Sequence, residues 1–172
     1  MRFVVVTGMS GGGKRTALKM LEDIGFYCVD NLPEPLVEKF VEVFATPDRA
    51  MTKVALGLDV RSDKTRGGVE KTLDMLREKG HSFEILFMDA NEQVILRRYK
   101  ESRRLHPLSE DGRIEEGIRR ERSILGGLRK KADYVIDTSN LLTRELKEEL
   151  DRIFIKGEEY NSLMINIVSF GF

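Results

Sequence analysis

Apolar residues recur along this chain in two alternating rhythms. Short runs rich in Val, Ile, Leu and Phe occupy residues 3–6, 26–29, 54–58, 83–88 and 132–137. Largely apolar runs of this length are the pattern of strands buried on both faces. Between them the apolar positions open to helical spacing. Leu36, Val37, Phe40, Val41 and Phe44 share one stripe; Val69, Leu73 and Leu76 another; Ile118, Leu125 and Leu128 a third; Leu142, Leu146, Leu150 and Ile153 a fourth. Residues 14–23 and 92–104 complete the helical set. Five buried strands alternating with helices predict an α/β fold, a parallel sheet covered on both faces.

The first strand runs into FVVVTGMSGGGKRT, residues 3–16. Gly8, Gly11, Gly12 and Gly13, with Met9 and Ser10 between them, leave few Cβ atoms in the way of a tight loop. Lys14 follows and a helix begins. Strand, glycine loop, lysine and helix make the P-loop arrangement, whose backbone N–H groups converge on a phosphate. The plain alternative is a glycine-rich turn joining strand to helix. The pattern G-x-x-x-x-G-K-[ST] is met from Gly8 to Lys14, but Arg15 holds the position of the hydroxyl that normally sits on Mg²⁺. Thr16 comes one residue later, within reach of a phosphate. Phosphate binding follows from these residues more directly than metal-assisted hydrolysis does.

Further candidates stand at strand ends, where open α/β sheets bind ligands. Asp30 and Asn31 close the second strand as a turn or as contacts to a second substrate. Asp59 closes the third in the shape of a Walker B segment, whose acid helps hold Mg²⁺ or its waters. Val60, Arg61 and Ser62 follow at the same edge. Residues 97–131 hold twelve Lys or Arg against six Asp or Glu. Arg97, Arg98, Arg103, Arg104 and His106 fall in its first part. They fit a solvated helical face, a phosphate-facing lid or a nucleic-acid backbone patch. His106, next to Pro107, reads as a turn or a phosphate contact; no metal-ligand spacing surrounds it.

Composition adds limits. The 172 residues suit one domain with a short appendage, and Lys+Arg balance Asp+Glu at 29 each, so net charge selects no partner. The single cysteine, Cys28, excludes an intramolecular disulfide and suits a reducing compartment. No run approaches transmembrane length, and the N-terminus lacks a signal-peptide core; the expected location is cytoplasmic, with no membrane partner. Residues 163–172, LMINIVSFGF, are strand-like and fall outside the five-strand scheme. Such a strand pairs with a sheet edge, with another chain, or with a further domain, and makes a homo-oligomer one expectation.

Two resemblances rest on these residues. The loop at 8–16, Asp89 leading into Arg97 and Arg98, the Arg-rich segment after them and ADYVID at 132–137 resemble P-loop nucleoside and shikimate-type kinases. This implies a three-layer P-loop NTPase fold with a five-stranded parallel sheet. GMSGGGK, YCVDNLP, LDVRS, RRYKESRRLHPL, ADYVIDTS and INIVSFGF together resemble the RapZ family of bacterial nucleotide-binding proteins, the RNase adapter proteins. That resemblance implies a P-loop domain over 1–156 binding ATP or GTP, with 157–172 as linker and first strand of a C-terminal domain. It places ATP at Gly8 to Arg15 and GTP at Asp59, Val60, Arg61 and Ser62. In the family the C-terminal part binds small RNA, so a small RNA or a regulatory protein is the implied partner of a longer form. Arg15 departs from the family's usual Ser and leaves Mg²⁺ and turnover open. The expected function is a regulatory ATP/GTP-binding domain with slow or no hydrolysis, at most a weak NTPase acting through Lys14 and Asp59. The alternatives are a small-molecule kinase, with Asp30 near the acceptor and an arginine on the phosphoryl group, and an RNA-binding module.

Overall fold

The structure, a computed structural model, describes residues 1–46, 51–60 and 68–155. Its strands are β1 (Arg2–Gly8), β2 (Tyr27–Val29), β3 (Lys53–Gly57), β4 (Glu84–Asp89) and β5 (Tyr134–Asp137). The helices are α1 (Lys14–Asp23), α2 (Glu34–Phe44), α3 (Gly68–Glu78), α4 (Glu92–Ser102), α5 (Ile114–Lys131) and α6 (Thr143–Phe154). The strands form one sheet in the order β2-β3-β1-β4-β5 with every pairing parallel. Parallel neighbours cannot be joined by a hairpin, so each connection crosses over through a helix.

Successive residues of a strand face opposite sides, and both sides are packed. Phe3, Val5, Leu56, Ile85 and Phe87 face α2, α3, α4 and α5. Val4, Val6, Ala55, Leu86 and Met88 face α1 and α6. In β1, β3 and β4 this double burial is why the strands read as continuous apolar runs rather than alternating ones. β2, expected to be buried, lies at the sheet edge, with Tyr27 exposed and Cys28 and Val29 half-buried. The three-layer α/β fold expected from the sequence is the one observed.

The differences lie at element ends. β3 stops at Gly57, so Asp59 lies two residues beyond the strand, although Leu58 N–H still reaches the Val6 carbonyl at 3.0 Å. The fifth strand starts at Tyr134 rather than at Ala132. Asp133 sits at its mouth, its carboxylate accepting from Ile85 N–H at 2.7 Å. α4 ends at Ser102 because Arg103 adopts φ 52°, a left-handed helix stop. Arg61, Ser62 and the strand-like tail lie outside the described residues.

Candidate nucleotide-binding site

The loop after β1 is shaped by close backbone packing. Gly8 has φ 133°, and a Cβ there would lie 2.0 Å from the Met88 carbonyl oxygen. A Cβ on Gly12 would meet the same oxygen at 2.6 Å and the Met9 carbonyl at 2.8 Å. Gly12 N–H donates to Met9 and Met9 N–H to Met88, which folds the loop back over the end of β4. These two glycines are needed for space; Gly13, at φ 103°, is needed for its conformation.

Gly13 caps α1 without any side-chain hydrogen bond. The amides of the first turn, at Lys14, Arg15 and Thr16, therefore remain open at the positive end of the helix. They face a cleft of about 510 Å³. Lys14 Nζ reaches into it, 3.0 Å from Asp59 and 3.4 Å from the Leu58 carbonyl. Arg15 and Thr16 are exposed on the cleft. Open amides, helix dipole and lysine together are features that suit an anion.

The other residues read from the sequence distribute unevenly. Asp30 and Asn31 line the cleft; the Asp30 carboxylate stands over Gly57, where a Cβ would meet it at 2.4 Å, and Asn31 takes φ 58°. Arg104 also lines the cleft. Val60 is buried. Arg97 and Arg103 are exposed, and neither lines the cleft. Arg98 does line it, but its guanidinium is engaged with protein: Gly11 carbonyl at 2.7 Å, Thr138 Oγ1 at 3.0 Å and Thr138 carbonyl at 3.0 Å. Burial, with Arg97 beside it, lowers the Arg98 pKa below the ordinary guanidinium value. It remains a cation held against the loop. His106 forms a turn, but its ring is buried against Glu121 and faces protein.

Several contributors were not singled out from sequence. Thr138 Oγ1 donates to the Gly12 carbonyl at 2.9 Å, tying the end of β5 to the loop. Leu141, Leu142 and Leu146 give the cleft an apolar wall. Glu121 is fully buried, and it occupies the same helical stripe as Ile118, Leu125 and Leu128. An acid on an apolar stripe was the available signal. The basic run is also less free than it reads: Arg122 and Arg129 converge on Asp89, at 3.0 and 2.9 Å, while Arg119 pairs with Glu92 and Arg120 with Glu110.

A divalent cation fits this site poorly as a protein-bound ion. The residue after Lys14 offers a guanidinium instead of an oxygen, and Asp59 lies on the lysine. Among the described residues no group of three or more His, Cys, Asp or Glu is placed to hold a metal. No described helix is long and apolar enough to cross a membrane.

Comparison with known proteins agrees with this geometry. Shikimate kinase from Acinetobacter baumannii, solved with shikimate, superposes with TM-score 0.59 at 18% identity, over 92% of this chain and 96% of that one. The Bacteroides thetaiotaomicron shikimate kinase gives 0.61 at 16%, over 91% and 98%. A gluconokinase from Sinorhizobium meliloti gives 0.57 at 15%, over 94% and 98%. These likenesses establish the P-loop kinase fold. A nucleotide-binding protein of Agathobacter rectalis is 52% identical over all of this chain and 59% of its own length. Another, of Ruminiclostridium cellulolyticum, is 50% identical with the same coverage. The chain thus spans about three-fifths of the curated relatives it matches. The model of the RapZ-like N-terminal domain matches residues 1–158, and the chain belongs to that family.

Proposed function

We propose that this chain is a regulatory ATP/GTP-binding domain with slow or no hydrolysis. The observation that carries the reading is the uncapped first turn of α1, with Lys14 beside it and Arg15 where a metal-binding hydroxyl would stand. The amides of 11–16 and Lys14 Nζ hold the phosphates, with Lys14 exchanging Asp59 for the ligand. Thr16 adds a hydroxyl. Arg15 supplies a fixed positive charge where P-loop enzymes recruit Mg²⁺, and Asp59 is the residue that would help hold the shell of a metal if one were bound. The leucine wall after β5 suits a base. Asp59, Val60, Arg61 and Ser62 are the candidates for GTP contacts.

Calorimetric titration of ATP and GTP, with Mg²⁺ and with EDTA, tests this on the chain and on Arg15→Ser. The expected result is binding that survives EDTA and becomes metal-dependent in Arg15→Ser. Absence of binding, or strict Mg²⁺ dependence in the unaltered chain, overturns it.

A second reading, phosphoryl transfer to a small acceptor, is favoured by Asp30, whose carboxylate shares the cleft with Lys14. Product formation on nucleosides, shikimate-like acids or sugars decides it. For a longer, cytoplasmic form we propose a small RNA or a regulatory protein as partner. Arg97, Lys100, Arg103 and Arg104 are exposed. RNA affinity that falls steeply with salt is the expected signature.

A further inference from the structure

Among the described residues, Glu121 is a fully buried acid that lies outside the cleft lining. It sits in the middle of α5, and among the described residues no Lys or Arg pairs with it. Three donors surround its carboxylate: Ser10 N–H at 3.1 Å, Ser10 Oγ–H at 2.7 Å and His106 Nε2–H at 3.0 Å. The tautomer follows from the ring's other side. His106 Nδ1 accepts from Leu108 N–H at 3.1 Å, so the ring proton is on Nε2. Burying a carboxylate among neutral donors costs stability that an apolar pair would not. The arrangement specifies geometry instead.

What it joins is informative. Ser10 belongs to the phosphate loop. His106 is the pivot of the segment between α4 and α5, and Arg104 and Leu105, immediately before it, line the cleft. Beside this link the Tyr99 ring lies 5.2 Å from the His106 ring, and a Cβ added at Gly11 would stand 3.4 Å from the Tyr99 ring. The turn is also seated tightly on α5, since a Cβ on Gly117 would meet His106 Nδ1 at 2.7 Å. Loop and segment are connected through the bonds of Ser10 and His106 to Glu121.

We infer that Glu121 and His106 are positioning residues that couple the phosphate loop, through Ser10, to the cleft-lining segment at Arg104 and Leu105. The inference rests on the nucleotide-binding reading above. A phosphate that fixes the loop fixes Ser10, and with it the His106 turn. Loss of the link lets the segment move independently of the loop.

Glu121→Gln tests this sharply. The carboxamide must aim N–H groups at either Ser10 or His106, both of which donate. Switching the tautomer brings no relief, because Nδ1–H would then oppose Leu108 N–H. Ser10→Ala removes only the hydroxyl and is the milder variant; Glu116→Gln, exposed on the first turn of α5, is the control. The measurements are ATP affinity by calorimetry and amide hydrogen exchange at 103–109 with and without ATP, beside the melting temperature.

ATP is expected to slow exchange at 103–109 in the unaltered chain and in Glu116→Gln. In Ser10→Ala, which keeps the Ser10 N–H bond to Glu121, the slowing is weakened while the fold melts cooperatively, and in Glu121→Gln the slowing is lost and affinity falls about tenfold or more. Folded Ser10→Ala with ATP-dependent protection and affinity unchanged overturns the coupling and leaves nucleotide binding intact. An unaltered chain that binds no ATP overturns the nucleotide reading and the coupling with it.

Discussion

Arg98 donates a 2.7 Å hydrogen bond to the carbonyl of Gly11, and the same guanidinium holds both oxygens of Thr138. One side chain on α4 therefore ties the phosphate loop to the turn after β5. Glycine loops pay a high entropic cost to hold one shape, and three bonds from a charged donor offset part of it.

Replacing Arg98 with Ala is expected to lower stability by about 1–2 kcal/mol and to weaken ATP binding about tenfold. Arg98→Lys, a point charge without the planar fork, restores only part of either. Urea unfolding and calorimetry on the two variants check it.

Gly8→Ala is expected to be far more severe. The new Cβ would stand 2.0 Å from a backbone oxygen that cannot move aside without disrupting the β1–β4 pairing, at a φ of 133°. A loss of about 3 kcal/mol or more, or failure to fold, is the expected outcome. Urea midpoint and soluble yield read it directly. Gly126→Ala, where a Cβ meets nothing within 4 Å, is the matched control and should be neutral or slightly stabilising.

Asp89 is 5% exposed and carries Arg122 on one oxygen and Arg129 on the other. Asp89→Asn should therefore cost about 1–3 kcal/mol, because two half-exposed guanidinium groups lose their shared anion. Nucleotide affinity should change little, since Asp89 is absent from the cleft lining. Unfolding curves and calorimetry separate the two effects.

Burial, and secondarily the Glu22 charge, pushes the Cys28 thiol from 9.0 up to about 11. Its thiolate fraction near pH 8 falls roughly a hundredfold below that of an ordinary thiol, so alkylation by iodoacetamide should be slow in the folded chain and fast in urea. The sign for stability follows from the raised value. The neutral thiol's contribution is fully present below about pH 9 and is lost as the pH rises toward about 11. Comparison of stability against pH with Cys28→Ser should show the alkaline decline reduced.

The strands and helices were legible because both sheet faces are covered. Residues 3–6 could be nothing but a buried strand, and Lys14–Asp23 falls where the glycine loop and the leucine spacing place it. The phosphate loop was legible for the same reason, since its chemistry is local. The rest of the site is non-local. Ser10 and Glu121 are 111 positions apart, Gly12 and Thr138 126 apart, and no pattern within either neighbourhood announces the other. The basic run misleads in part, since charge sign is visible in sequence and pairing is not. Arg122 and Arg129 read like surface cations and turn out to serve Asp89.

Both the beginning and the middle of the phosphate loop rest on a single atom, the carbonyl oxygen of Met88, which Gly8 and Gly12 approach and Met9 N–H bonds. The loop's shape is thus referenced to main chain, not to any side chain at position 88. That side chain packs on the opposite concern, among the α1 and α6 core. Evolutionary drift at 88 is free to trade one apolar group for another of similar volume. Glycine at 8 and 12 has no such freedom, and variants recovered from a saturation library should divide along that line.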